Sequence, residues 1–205
     1  MKHRKAWQPA LLVLALLPLA AAVEDLLPHV QGEYLRVSAP GLHILEGDAL
    51  KRLKDGSAVP YNFQFSLLEY PSRRPDRRSL EQFIVSYDLW EEKFSITGGR
   101  GSRRTVSHLS APAAERWCLE NLTLTTRGLD PSKRFLLSLE VRAEERDRDP
   151  LIEGDGLSLR TLVEIFSRPA GGRQQAWKVQ AGPYQLISLR EEAADRIGGE
   201  RRRLP

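Results

Sequence analysis

Between Val59 and Leu68 the chain reads VPYNFQFSLL, and its large apolar residues fall on every second position: Val59, Tyr61, Phe63, Phe65 and Leu67. A period of two marks a strand with one buried face, because successive side chains of an extended backbone point to opposite sides. A helix would scatter the same five residues around its circumference. Such a strand needs neighbours, since an isolated strand or lone hairpin is at best marginally stable in water.

The neighbours are legible in two further runs. Phe83, Val85, Tyr87 and Leu89 repeat the alternation, and after Glu91-Glu92 the shorter run Phe94, Ile96 continues it up to Gly98-Gly99, which reads as a hairpin. Phe135, Leu137, Leu139 and Val141 alternate with Ser138, Glu140 and Arg142. Leu122 to Thr126 and the turn signal Gly128-Leu129-Asp130-Pro131 precede that run, and the expectation is a second hairpin. Weaker strand signals lie at Tyr34–Val37, Gly41–Leu45, Trp177–Val179 and Tyr184–Leu189.

Helical spacing appears in three places. Ser110-Ala111-Pro112 opens one helix, with Ser110 as cap and Ala114, Trp117, Cys118 and Leu122 on a shared face that buries the thiol. Ser158 opens another, with Leu159, Leu162, Val163 and Phe166 on one stripe and Pro169 as its stop. A short third helix spans Asp48 to Lys54 and stops at Gly56. Strands joined by short turns predict a mainly β fold, an antiparallel β-sandwich of Ig-like or C2-like kind with two or three short helices.

Lys2, Arg4 and Lys5 precede the apolar run Ala10 to Ala22, which ends in three alanines; this is the charge, core and small-residue order of a cleavable secretory signal peptide. The run is too short for a membrane span, which takes roughly 20 residues. The expected organisation is a signal peptide at 1–22, a single β-rich domain at 23–190 and a flexible charged tail at 191–205, where Gly198-Gly199 precede Arg201-Arg202-Arg203. Localisation is then periplasmic or secreted, with no transmembrane span after cleavage. Of 31 basic residues three leave with the leader, so 28 face 27 acidic ones, and the net charge of +4 that hinted at nucleic acid largely disappears.

The stretch from Leu35 to about Glu144 resembles a family of secreted bacterial proteins known only as a domain of unknown function (DUF4390-like). The elements that carry the resemblance are a short helix ending before Gly56, the strand Val59–Leu68, an Arg-rich connection, Val85-Ser86-Tyr87-Asp88-Leu89 with its partner Glu92-Lys93-Phe94-Ser95-Ile96, the helix Ala111–Leu122 and the strand Arg134–Arg142. The resemblance implies an envelope-signalling context, since such relatives often lie beside genes for membrane sensor kinases. It implies no activity and no catalytic residues.

Catalytic chemistry finds little footing in the motifs. Cys118 is the only cysteine, which excludes an intramolecular disulfide and any zinc site built on paired cysteines. After the leader, His29, His43 and His108 remain, none within a nucleophile elbow or a metal-spaced helix. Asp147, Asp149, Glu153 and Asp155 make the 144–156 segment acidic without the spacing of a calcium loop, and Gly98-Gly99-Arg100-Gly101 with Arg103 and Arg104 reads as a connection rather than an anion cradle. No cofactor and no metal are expected.

The densest basic cluster is Arg73, Arg74, Arg77 and Arg78, interrupted by Pro71, Pro75 and Asp76. On an exposed connection these arginines form a candidate site for an anionic partner: lipid head groups, acidic glycan or an acidic face of an envelope protein. The leading functional expectation is a non-enzymatic binding module of the cell envelope. One alternative is an envelope hydrolase or transferase assembled from dispersed residues, whose sign would be a deep pocket with His43 or His108 beside a carboxylate. Another is a carrier of an apolar ligand, whose sign would be an apolar cavity.

Overall fold

The computed structural model describes residues 26–98, 104–144, 163, 166, 167, 175–191 and 193. The expected signal peptide, the acidic 145–156 segment, Gly99-Arg100-Gly101 with Arg103, and nearly all of the tail lie outside the described residues, as does most of the helix expected from Ser158.

The chain is mainly β, with two antiparallel sheets and short helices. The strands are β1 (Leu27–Gln31), β2 (Tyr34–Ser38), β3 (Val59–Glu69), β4 (Pro75–Asp88), β5 (Lys93–Gly98), β6 (Arg104–Leu109), β7 (Leu124–Thr125), β8 (Arg134–Ala143) and β9 (Ala176–Gln185). The helices are α1 (Gly47–Lys54), α2 (Ala111–Glu120) and a shorter stretch, α3, at 186–191. One sheet has the order β1-β2-β7 and the other β6-β5-β4-β3-β8-β9.

β3 occupies the interior of the large sheet because its odd-numbered face is apolar along nearly its whole length. Its register sets Tyr61 between Phe83 and Ala143, Phe65 between Ser79 and Leu139, and Leu67 between Arg77 and Leu137. Tyr61, Phe63, Phe65 and Phe83 are completely buried on that face. Phe63 meets Phe83 edge-on at 5.2 Å, and Phe83 meets Trp117 of α2 at 5.7 Å, so aromatic contacts seat the helix on the sheet. The opposite face is polar yet partly covered: Gln82 donates to Asn62, Arg142 to Glu140, and Phe166 packs against Leu80.

The hairpin β4–β5 forms as the alternation predicts. Its turn is held by Asp88, whose Oδ1 accepts the amides of Trp90 at 2.8 Å and Glu91 at 3.0 Å. Those bonds favour the carboxylate and hold Asp88 below the usual carboxyl range. The turn displays Leu89 and Trp90, the latter 96% exposed.

Several expectations are corrected. Leu124–Thr125 pairs with β2 and not with β8, so no hairpin joins it to Phe135–Val141. Gly41–Leu45 is no strand, because the amides of Ile44 and Leu45 are taken by the Glu115 side chain instead of a ladder. Tyr184–Leu189 begins as the end of β9 but turns helical at Leu186, burying Leu186 and Leu189 three residues apart. Ser110 stands at the N-cap of α2, yet its side chain makes no capping bond. Arg104, placed in the connection after Gly98, instead opens an edge strand, Arg104–Leu109, that pairs with β5 and that the sequence reading did not assign. α1 ends as expected, with Gly56 in the left-handed region at φ 82° just past its last turn.

Candidate functional site

The four arginines singled out in the sequence do not share one surface. Arg73 and Arg74 lie in the turn after β3, which closes through Arg73 N donating to Glu69 O at 2.7 Å and Glu69 N donating to Arg74 O at 2.9 Å. Arg73 adopts φ 57° there. Arg77 and Arg78 belong to β4, and their register opposite Leu67 and Ser66 puts them on opposite faces of the sheet. Arg77 is half-buried; its guanidinium donates to the Arg127 carbonyl at 3.3 Å and lies 3.4 Å from Asp76. Arg73, Arg74 and Arg78 are exposed, and none forms an ion pair among the described residues.

Other charges join this end of the sheet from the loop before β8. Lys133 bonds Glu69 at 3.2 Å, and that bond above all lowers the Glu69 carboxyl and raises the Lys133 amine from their ordinary ranges. Arg134 lies over the Tyr70 ring at 4.4 Å. A cavity of about 280 Å³ here is walled by Glu69, Asp76 and Asp130 as well as by Arg74, Lys133 and Arg134. The outcome is a mixed-charge cavity to which Arg74 adds a guanidinium with no ion pair among the described residues.

A second, larger concavity lies between the β1–β2 hairpin, the 39–43 loop and α2. It encloses about 560 Å³, within the range of small-molecule sites. Val30, Val37, Leu42 and Leu119 give it apolar walls; Arg36, Arg116, His29 and His43 bring basic groups. Two side-chain pairs lie in it. His29 Nε2 is 2.8 Å from Ser38 Oγ, and His43 Nδ1 is 3.4 Å from Glu115 Oε2. Glu115 is buried, and its Oε1 accepts the amides of Ile44 at 2.7 Å and Leu45 at 3.0 Å. Arg36 donates through Nη1 to the Glu120 carbonyl at 3.3 Å, while its Nε is shut off from solvent without an acceptor.

The deep pocket with a histidine beside a carboxylate is therefore present, but its carboxylate is engaged. Glu115 fixes the backbone of the 43–45 loop, and His43 is an exposed ring at long range from it. His108 also meets a carboxylate, Glu91 at 2.5 Å, on the surface beside the β4–β5 turn and away from any described cavity. Cys118 is buried, and burial pushes its thiol well above the ordinary value, leaving it inert. Among the described residues no cluster of three or more His, Cys, Asp or Glu could hold a metal, and no helix is long and apolar enough to cross a membrane.

Sequence reading missed this groove because its walls come from stretches around residues 28–43, 112–120 and 189–193. One signal was available: Glu115 interrupts a helix face otherwise built from Ala114, Cys118 and Leu119, and a carboxylate in that position needs donors from elsewhere. Compared with known proteins, the chain matches no family model, no curated protein and no solved structure.

Proposed function

We propose that this chain is a non-enzymatic binding module of the bacterial cell envelope, exported by its N-terminal leader and meeting an anionic partner through the basic end of the large sheet. The observation that carries the reading is the set of exposed arginines without ion pairs at one end of the sheet, Arg73, Arg74 and Arg78, with Arg134 beside them. The remaining charge is nearly balanced once the leader is discounted, so attraction to an anionic surface has to come from such a local patch. The resemblance to secreted bacterial proteins supports the compartment.

The test is binding of the full chain to vesicles containing anionic phospholipid against vesicles of neutral lipid, over a range of salt. Each basic residue near an anionic surface contributes about 1 kcal/mol, so replacing Arg73, Arg74 and Arg78 with Gln is expected to weaken binding roughly a hundredfold. The fourfold variant that adds Arg77→Gln also removes the bond to Arg127, so its loss of stability is measured separately. Wild-type chain that ignores anionic vesicles and acidic glycan at low salt would overturn the reading. Export is checked by fusing residues 1–30 to a reporter active only outside the cytoplasm.

A second reading rests on the His29–Ser38 contact, which has the reach of a base and a nucleophile. It predicts ester hydrolysis lost in Ser38→Ala. Ser38 pairs with Leu27 in a regular ladder rather than sitting on a strained turn, which favours binding over chemistry.

A further inference from the structure

We infer that the groove between the β1–β2 hairpin and α2 holds a single acyl chain bearing an anionic head, with Arg36 as the head-group ligand. The inference does not depend on the basic end of the large sheet. Three observations lead to it.

The first is shape and lining. The groove encloses about 560 Å³ and its long walls are side chains such as Val30, Val37, Leu42 and Leu119, which offer an alkyl chain dispersion contacts and nothing to hydrogen-bond. A polar metabolite of that volume would leave its own groups unpaired against those walls. The second is charge. Arg36 and Arg116 line the same groove as Glu115 and Glu120; of these acids Glu115 has its Oε1 committed to the amides of Ile44 and Leu45, while Glu120 is exposed. An anionic head therefore finds two guanidinium groups in the groove, even though the formal charges of its lining balance. The third is the state of Arg36. Its Nη1 is committed to the Glu120 carbonyl, but its buried Nε has no protein acceptor, an expensive condition for a guanidinium donor. A small turn of the guanidinium presents that edge to the groove, where a carboxylate or phosphate accepts from it in the forked manner such groups favour.

The measurement is calorimetric titration of the purified full chain with oleate, with oleyl alcohol of the same length, with oleoyl lysophosphatidate and with acetate. Oleate and the lysophosphatidate are expected to bind one per chain, and the alcohol at least tenfold more weakly; acetate, lacking a chain, should not bind measurably. Tighter binding of the lysophosphatidate than of oleate would assign a phosphate head, and the reverse a carboxylate. Arg36→Gln should bring oleate down to the affinity of the alcohol and leave the alcohol unchanged, whereas Arg36→Lys should restore part of the difference. Thermal melts establish that both variants fold; should Arg36→Gln fail to fold, Arg116→Gln and the alcohol comparison carry the same question. Equal affinity for oleate and the alcohol, no binding of oleate at all, or unchanged oleate affinity in folded Arg36→Gln would each overturn the inference. The Arg73, Arg74 and Arg78 variant is expected to bind oleate normally, so failure of the vesicle assay and failure of this one are separable.

Discussion

Replacing Glu115 by alanine removes the acceptor of two amides at once. The carboxylate is buried within the fold, its Oε1 lies 2.7 Å from the Ile44 nitrogen and 3.0 Å from that of Leu45, and Ile44 and Leu45 are themselves buried. Each buried donor left without a partner costs about 1–3 kcal/mol. The adjoining groove admits some water to the vacated space, so the expected loss is about 2–4 kcal/mol rather than the full sum. That is a large part of the stability of an ordinary domain, roughly 5–15 kcal/mol. Glu115→Gln keeps a carbonyl oxygen in the same place and surrenders only the advantage of a charged acceptor, so it should cost about 1 kcal/mol. Urea unfolding of both variants, read by linear extrapolation with unchanged slope, measures the two losses. Equal losses in Gln and Ala, or a loss under about 1 kcal/mol in Ala, would refute the claim that these two bonds hold the 43–45 loop.

Further outcomes follow from other parts of the molecule. Phe63→Ala and Phe135→Ala each empty an aromatic core position, 0% and 4% exposed, and should each destabilise the chain by about 3–5 kcal/mol in the same urea assay. Trp90→Ser should leave stability within about 0.5 kcal/mol while removing a tryptophan emission readily quenched by acrylamide, since that ring is 96% exposed. Iodoacetamide at neutral pH should leave native Cys118 unmodified and label it in urea, because burial keeps the thiol neutral. Asp88, Asp130 and Glu69 all have carboxyls held below their ordinary range in the folded chain, by backbone amides, by Ser132 and by Lys133 respectively. The stability they contribute is present above the ordinary carboxyl pKa and is lost as pH falls through the depressed values, so a pH series of unfolding should show a decline on the acid side; a stability that rises on acidification would contradict it.

What could be read from the sequence was set by which strands gather their large apolar residues on one face. β3, β4, β5 and β8 carry their large apolar residues at alternate positions, and that alternation made both their existence and the β4–β5 pairing legible. β6 shows no such signal because it lies at a sheet edge with most of its residues exposed. Leu124–Thr125 is too short for any period, and its pairing with β2 is decided by the packing of the small sheet. In Gly41–Leu45 the alternation was real, but a side chain about 70 positions away replaced the partner strand. The basic cluster was legible as composition, whereas its division between a turn and two faces of β4 depended on where the strand begins. The groove was not legible because three distant segments build it.

Every free margin of the two sheets carries an obstacle to another backbone. Pro28 sits within β1, β7 is two residues long, and β9 contains both Lys178 and Pro183. β6 meets β5 with a shift in register between Phe94 and Ile96, and His108 near its end adopts φ 62°. Proline offers no amide, lysine resists desolvation, and an irregular ladder gives a guest chain no continuous row to read. Recognition by main-chain zippering is thereby disfavoured along these margins, to a partner peptide as to a second copy, which shifts the task of gripping onto side chains.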